Sequence, residues 1–337
     1  MFRQKRAILL LNVGTPANPE ISGVRKFLSE FLNDKRVIGI PWFLRKILVS
    51  CIIVPFRAPR SSKLYKKLWT GKGSPLLFHG LSLKEKLAHR AGGEFIVEFA
   101  SNYQQPNIKD ITESILKDGV GQIIAFPLYP QYSSSTTGSA FEKLFKILAR
   151  QNNIPAIKTV HQYYDHPLYL EAMAERISRY EYLDYDHILM SFHGLPLRQV
   201  RSSHHGKACE HFNCINEVSE RNANCYHAAC HATSRLLADK LGIDKRSYSV
   251  SFQSRIARKW LSPFTDEVII SLAMEGRKRV LVVCPSFTSD CLETTIEVGQ
   301  VYRDLFLENG GLDLTLVESL NESESWVDAI LGIINDL

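Results

Sequence analysis

Eight short runs of aliphatic residues constrain the fold of this chain most strongly. They lie at 7–13, 94–100, 121–128, 156–160, 187–192, 248–252, 280–284 and 314–318. Near-continuous hydrophobicity over so few residues is typical of parallel strands buried on both faces. Stretches with helical periodicity, at 24–32, 81–91, 108–116, 140–149 and 168–179, separate the runs. This alternation predicts an α/β protein with open parallel sheets flanked by helices.

The strands fall into two groups of four, which predicts two domains. The length of 337 residues agrees with this, since a domain usually holds about 100–200 residues. We expect the first domain over 1–159 and the second over 160–319. A last helical pattern at 326–334 lies in a C-terminal segment, 320–337, that we expect to pack on the first domain.

A basic and apolar segment runs from Lys35 to Gly80. It contains ten lysines and arginines and no acidic residue, while the whole chain has a net charge of +6. The apolar residues at 42–56 lie among these cations, a combination suited to an anionic amphiphile or a membrane surface. A buried helix with a solvated basic face is the alternative interpretation.

Several function classes lack their motifs in this sequence. There is no P-loop, no G-x-G-x-x-G and no G-x-S-x-G, so neither nucleotide binding nor serine-hydrolase chemistry is indicated, and we predict no nucleic-acid partner. The first residues lack the pattern of a secretory signal, and the longest apolar stretch, 47–56, is shorter than the about 20 residues that a membrane span needs. We therefore expect a cytoplasmic protein.

His193 directly follows a predicted strand and precedes Gly194 and Pro196. In open α/β sheets, ligands bind beyond the carboxyl ends of the strands. An imidazole at such a place can act as a base or a metal ligand near neutral pH. The alternative is a histidine that only hydrogen-bonds its own loop.

Four acidic residues recur at helical spacing near the C-terminus: Asp290, Glu293, Glu297 and Asp304. On an α-helix they would lie within about 40° of one another on one face. Such a row of carboxylates can pass protons or a hard cation along its length. Alternatively, Asp290 and Glu293 cap the start of the helix after Ser289.

Four of the seven cysteines lie within 22 residues, in the pattern C-x4-C-x10-C-x4-C. They are Cys209, Cys214, Cys225 and Cys230. In a cytoplasmic chain such a cluster indicates a metal centre rather than disulfides. Iron–sulfur sites include C-x4-C spacings, whereas five histidines in the same segment keep a mixed Cys/His zinc site open. Four unconnected thiols remain a third interpretation. The polar segment around them, about 199–230, is predicted to be an insertion that the metal folds.

Five motifs, at 9–16, 73–75, 127–132, 191–196 and 287–294, occur in an order that resembles the ferrochelatase family. The resemblance implies two Rossmann-like, chelatase-type domains with a porphyrin cleft between them. It also implies insertion of Fe²⁺ into protoporphyrin IX to form protohaem, the final step of haem biosynthesis. The alternatives are a coproporphyrin or cobalt chelatase, or a non-catalytic haem-binding protein on the same fold.

The resemblance also assigns residues. His193 and Glu293 match the catalytic pair, which would meet the Fe²⁺ substrate, and Asp290, Glu297 and Asp304 would form a proton or iron path. The residues expected to bind porphyrin are Val13, Arg57, Tyr65, Ser74, Tyr132 and Trp260. Segment 35–60 corresponds to a lip that would meet anionic membrane lipid, with the protein peripheral on the inner face and in contact with neighbouring haem-pathway enzymes. The four clustered cysteines are similar to the internal [2Fe–2S] ligands of some bacterial members, with zinc as the alternative.

Overall fold

The computed structural model describes residues 4–337. The chain divides into two compact units. The first contains residues up to Tyr129, Ser133–His161 and Ile334–Leu337, and the second contains Pro130–Tyr132 and Gln162–Ile333. The predicted boundary after residue 159 therefore lies beside the observed division.

The first unit is built on a parallel four-stranded sheet with the order β2-β1-β3-β4. Its strands are β1 (Arg6–Asn12), β2 (Phe95–Ser101), β3 (Gln122–Pro127) and β4 (Ala156–Thr159). The helices of this unit are α1 (Ile21–Leu32), α2 (Trp42–Ile47), α3 (Val54–Leu68), α4 (Pro75–Arg90), α5 (Ile108–Lys117) and α6 (Ser139–Leu148), and a π-helical turn, Leu48–Ile53, joins α2 to α3. Leu9 and Leu11 of the central strand are fully buried, as the predicted two-sided burial requires.

The second unit repeats this arrangement with the order β6-β5-β7-β8. Its strands are β5 (His187–His193), β6 (Tyr248–Gln253), β7 (Arg279–Val283) and β8 (Asp313–Leu316). Its helices are α7 (Pro167–Ser178), α8 (Leu197–Ser202), α9 (Tyr226–Leu241), α10 (Thr265–Met274), α11 (Arg303–Glu308) and α12 (Glu324–Asn335), and a π-helix, Leu292–Tyr302, precedes α11. All eight strands predicted from the sequence are present, and the expected fold class, two parallel four-stranded sheets flanked by helices, is confirmed.

The C-terminal helix differs from its predicted placement over most of its length. Up to Ile333, α12 belongs to the second unit, and only Ile334–Leu337 group with the first. Trp326 is fully buried, and its ring lies 5.7 Å from that of Tyr163 and 6.1 Å from that of Tyr169, centroid to centroid. This aromatic cluster fixes the start of α12 in the second unit, because such pairs add to the energy of burial.

The basic segment exposes much of its apolar surface. The side chains of Trp42, Phe43, Leu44, Ile47, Ile52 and Phe56 are between 47% and 71% exposed. The alternative of a buried helix is therefore wrong for α2 and the π-helical turn after it. Arg45 is the exception among the cations: it is buried and donates to the carbonyl oxygens of Ile38 and Ile40. No helix among the described residues is both long and apolar enough to cross a membrane.

Candidate active site and metal centre

His193 is the last residue of β5, at the carboxyl edge of the second sheet. Its Nδ1 lies 2.7 Å from the carbonyl oxygen of Gly194. A carbonyl can only accept, so Nδ1 carries the proton and Nε2 presents a lone pair. The backbone of His193 is hydrogen-bonded as well. The His193 N–H donates to Ser286 Oγ at 3.3 Å, and the His193 carbonyl oxygen accepts from the Tyr226 hydroxyl at 2.8 Å. The imidazole is thus fixed in a tautomer that can accept a proton.

Two aromatic rings stand beside this imidazole. Trp260 and Phe287 have ring centroids 6.4 and 6.2 Å from that of His193. Trp260 is placed there because it forms a β-bridge with Pro196, in the loop that follows His193. A side chain at Gly194 would bring its Cβ within 2.9 Å of the Gln253 carbonyl oxygen, so the close approach of these loops requires glycine.

Gln253, the last residue of β6, connects the two residues of the predicted catalytic pair. Its carbonyl oxygen accepts from Gly194 N–H at 2.8 Å. Its Nε2 donates to the backbone oxygen of Glu293 at 3.0 Å, and its Oε1 accepts from Ser191 Oγ at 2.8 Å. A buried amide with both ends bonded sets the distance between two elements firmly. The role of Gln253 was not predicted from the sequence.

The acidic row is not an α-helical face. Residues Leu292–Tyr302 form a π-helix, in which hydrogen bonds run from i to i+5 and the spacing of 100° per residue does not apply. Asp290 precedes the helix, and the capping box is formed by Cys291 and Thr294. The predicted α-helical stripe and the predicted cap by Asp290 and Glu293 are both wrong for this reason.

The four carboxylates have different surroundings. Asp290 accepts from Ser319 N–H at 3.0 Å and from Asn321 Nδ2 at 2.8 Å. Asp304 is exposed on α11, whereas Glu293 is half-buried near the start of the π-helix. The negative charge of Glu293 adds to burial in raising the pKa of the neighbouring Cys291 thiol.

Glu297 is the most heavily bonded of these acids. Its carboxylate accepts from the Ser254 N–H at 3.0 Å, from Ser254 Oγ at 2.6 Å and from the Tyr302 hydroxyl at 2.6 Å. Burial and the Glu297 charge raise the pKa of Tyr302, which keeps that hydroxyl a donor. Ser254 has a φ of 61°, the left-handed region that residues other than glycine rarely adopt. Such local strain is common where side chains must be aimed at a functional site.

The residues expected to bind porphyrin occur in both units. Val13, Arg57, Tyr65 and Ser74 lie in the first, and Tyr132 and Trp260 in the second. Tyr65 and Ser74 are buried, and Ser74 Oγ lies 2.8 Å from Thr15 Oγ1. Arg57 is exposed on α3. Their role toward a porphyrin stays a prediction.

The cysteine-rich insertion brings four donor side chains together: His204, Cys209, Cys214 and Cys225. Their donor atoms all lie within 4.8 Å of one another. Cys209 Sγ is 3.8 Å from Cys225 Sγ, and Cys214 Sγ is 3.4 Å from His204 Nε2. A Cys/His cluster is therefore present where the sequence predicted a metal centre. His204 was one of five histidines in the segment, and nothing in the spacing singled it out.

Cys230 is not a member of this group. It is fully buried within α9, and burial raises the pKa of its thiol well above the usual value. The predicted ligand set of four cysteines thus shares three members with the group that the structure assembles.

Comparison with known proteins agrees with these features. A family model described as Ferrochelatase matches residues 5–337. The chain is 40% identical over 333 residues to the ferrochelatase of Legionella pneumophila (strain Lens), which covers 98% of this chain and 99% of that protein. It is 39% identical over 329 residues to the ferrochelatase of Coxiella burnetii (strain Dugway 5J108-111), which covers 97% and 92%. The chain belongs to the ferrochelatase family. The expected enzyme class, a porphyrin chelatase that forms protohaem with Fe²⁺ as substrate, is confirmed by this membership.

Solved structures place the ferrochelatase chain on the chelatase fold. SirB from Bacillus subtilis, solved with Fe³⁺, aligns with a TM-score of 0.55 at 12% identity and covers 98% of this chain and 95% of its own. DR2241 from Deinococcus radiodurans aligns with the same TM-score and identity, over 98% of this chain and 55% of its own. At this identity the likeness establishes the fold alone.

Proposed function

We propose that His193 and Glu293 carry out the insertion of Fe²⁺ into protoporphyrin IX. The observation that supports this most directly is the bridge through Gln253, which ties the loop after His193 to the backbone of Glu293. One residue thus holds the loop after His193 and the backbone of Glu293 in a fixed relation. Catalysis by positioned groups depends on this kind of preorganisation.

His193 is the proton acceptor in this proposal. Metal insertion replaces two N–H protons of the porphyrin with one Fe²⁺, so two protons must leave for each turnover. The first passes to Nε2 of His193, whose Nδ1–H already donates to the Gly194 carbonyl oxygen. That carbonyl also stabilises the imidazolium that forms, because a charged donor strengthens the hydrogen bond.

Glu293 attracts the metal and accepts the second proton in this proposal. A half-buried carboxylate attracts Fe²⁺ and can accept the remaining proton as the metal moves into the ring. Glu297 and Asp290 have their oxygens engaged by other donors, so we assign them to positioning the π-helix rather than to carrying iron. Asp304, exposed on α11, is the group at which protons would reach solvent.

The porphyrin and the metal are tested with purified enzyme and four substrate pairs. We expect the highest kcat/KM for Fe²⁺ with protoporphyrin IX, compared with coproporphyrin and with Co²⁺. A higher value for coproporphyrin or Co²⁺ would replace the substrate assignment by that of the related chelatase. Porphyrin binding without turnover would indicate a haem-binding protein instead.

The exposed apolar side chains between Trp42 and Phe56 support a peripheral membrane contact. Exposed cations, Lys46, Arg57 and Arg60, lie in the same segment. Apolar side chains that insert below the headgroups, together with cations that meet anionic lipid, are the combination that binds a protein to a membrane surface. We therefore place this face of the first unit on the inner, anionic surface of the cytoplasmic membrane.

The insertion supplies a metal centre that folds the segment following His193. The predicted [2Fe–2S] cluster takes Cys230 as its fourth ligand, together with Cys209, Cys214 and Cys225. Cys230 lies outside the group of close donor atoms, whereas His204 lies within it. The donor set therefore does not fit the four-cysteine cluster, and no step of the reaction is assigned to one.

A further inference from the structure

Two distances within the Cys/His cluster match the edges of a single tetrahedron. With metal–sulfur bonds of about 2.3 Å and metal–nitrogen bonds of about 2.0–2.1 Å, two sulfurs on one Zn²⁺ lie about 3.8 Å apart, and a sulfur and a nitrogen about 3.5 Å. The structure has 3.8 Å between Cys209 Sγ and Cys225 Sγ, and 3.4 Å between Cys214 Sγ and His204 Nε2. All four donors thus surround a space that one ion would fill.

A two-iron cluster needs a different arrangement. Its four ligands divide into two pairs, one on each iron, and the second iron and the bridging sulfides hold the pairs apart. Four donors within 4.8 Å of one another do not divide in this way. Cys230 also lies five residues after Cys225, the N-cap of α9, which places it about 140° around the helix axis from Cys225.

His204 is oriented for ligation by its surroundings. It is 1% exposed, and its ring stacks on Phe212 with centroids 4.2 Å apart and planes 10° apart. Among the described residues, its Nδ1 has no hydrogen-bond partner, while Nε2 points to the sulfur of Cys214. A buried imidazole whose Nε2 contacts a cysteine sulfur can serve as a metal ligand through that nitrogen.

The surroundings of two sulfurs favour the thiolate form. Asn222 Nδ2 lies 3.6 Å from Cys214 Sγ, and the same amide donates to the carbonyl oxygens of Phe212 and Glu217. Cys225 is the N-cap residue of α9, and the positive end of a helix dipole favours a thiolate. The thiolate is the form that binds metal.

We propose that the insertion binds one Zn²⁺ through His204, Cys209, Cys214 and Cys225, and that Cys230 is not a ligand. Three thiolates and one imidazole fill a tetrahedral shell and leave no open position, so the site is structural rather than catalytic. Zn²⁺ suits this set because it accepts both sulfur and nitrogen ligands without redox change.

The zinc also positions His193, a step that rests on the proposed role of that residue. Cys225 fixes the start of α9, and the next residue, Tyr226, donates to the backbone oxygen of His193 at 2.8 Å. The zinc is therefore connected to His193 through two adjacent residues, Cys225 and Tyr226. Loss of the ion releases the start of α9 and with it this hydrogen bond.

The test is the metal content of the purified full-length protein after treatment with a chelator that removes weakly bound ions. We expect one zinc per chain, no acid-labile sulfide and no colour. Replacement by Co²⁺ should give the intense visible bands of a tetrahedral thiolate site. His193→Ala should retain the zinc. Zinc in this variant cannot be metal bound at His193, and the zinc content is measured without reference to enzyme activity.

Four variants identify the ligands. His204→Ala should lose the zinc, His204→Cys should restore it with an altered Co²⁺ spectrum, and the exposed neighbour His205→Ala should leave it unchanged. Cys230→Ser should keep one zinc per chain if it folds, as judged by circular dichroism. Brown protein with two irons and two sulfides per chain would overturn the proposal, and so would zinc that is lost in folded Cys230→Ser or kept in His204→Ala.

Discussion

The two sheets share one strand order but differ at their carboxyl edges. In the first unit the central strand β1 ends at Asn12, whose Oδ1 accepts from the Val13 N–H at 2.7 Å. In the second unit the corresponding strand β5 ends at His193, whose Nε2 keeps a lone pair for chemistry. The neighbouring strands end at Ser101 and Gln253, respectively. The fold thus provides the same positions twice, and different residues occupy them.

The largest effect is expected at the edge that carries His193. His193→Ala should lower kcat by about 10²–10⁴-fold, because it removes the general base from an otherwise intact site. Porphyrin affinity should change little, and titration of the porphyrin fluorescence measures it. His187→Gln, at the opposite end of β5, is the matched control and should keep its turnover. Normal turnover in folded His193→Ala would show that the two edges do not differ as proposed.

Glu293→Gln should lower kcat by about 10²-fold with a small change in KM for porphyrin, since the amide keeps the shape but binds neither Fe²⁺ nor a proton well. Steady-state kinetics in both substrates measures this. The exposed Glu308→Gln on α11 is the control for loss of one negative charge. If both variants slow the enzyme equally, general charge and not the position of Glu293 explains the effect.

The buried His187, at the start of β5, should make the stability of the protein sensitive to acid. Burial lowers the pKa of His187 from 6.5 to about 4. The unfolded chain therefore binds this proton below pH 6.5 and the folded chain only below about pH 4, so stability falls as the pH falls between these values, by on the order of 2 kcal/mol. Urea unfolding between pH 7 and pH 4 measures the loss, and His187→Gln should reduce it. If the free energy of unfolding of His187→Gln falls with pH as steeply as that of the unmodified protein, another group causes the acid sensitivity.

Tyr226→Phe removes one hydrogen bond to the backbone of His193 and leaves the cysteines in place. We expect kcat to fall several-fold, in line with about 1 kcal/mol for such a bond, with unchanged metal content. Kinetics and metal analysis on the same preparation separate the two readouts. A loss of metal together with activity would mean that Tyr226 supports the fold of the insertion and not the position of His193.

The smallest effect concerns the exposed segment of the first unit. Lys46→Gln and Arg60→Gln should each weaken binding to anionic vesicles by at most about 1 kcal/mol, and less at high salt. Vesicle sedimentation measures the affinity, with the exposed Lys245→Gln of the second unit as control. Arg45 is unsuitable for this test because it is buried. Equal losses in all three variants would contradict a membrane face on the first unit.

The sequence predicted the strands well because two-sided burial leaves an unbroken aliphatic run, as in β1 and β5. It also located His193, since a titratable residue directly after such a run must lie at the sheet edge. It did not predict the π-helix, whose composition matches that of an α-helix. The roles of Gln253 and His204 could not be predicted either. A neutral amide such as Gln253 has no sequence pattern that indicates its hydrogen-bond partners. Only the folded chain shows which of the five histidines lies beside the sulfurs.

Ser254, which holds Glu297, has an unfavourable backbone conformation. Its left-handed backbone lets both its N–H and its hydroxyl reach one carboxylate, that of Glu297. Glycine would adopt the same backbone angles more readily but would lack the hydroxyl. Ser254→Gly should therefore relax the backbone of this turn but remove the hydroxyl that holds Glu297. The left-handed residue thus fixes the carboxylate that positions the π-helix.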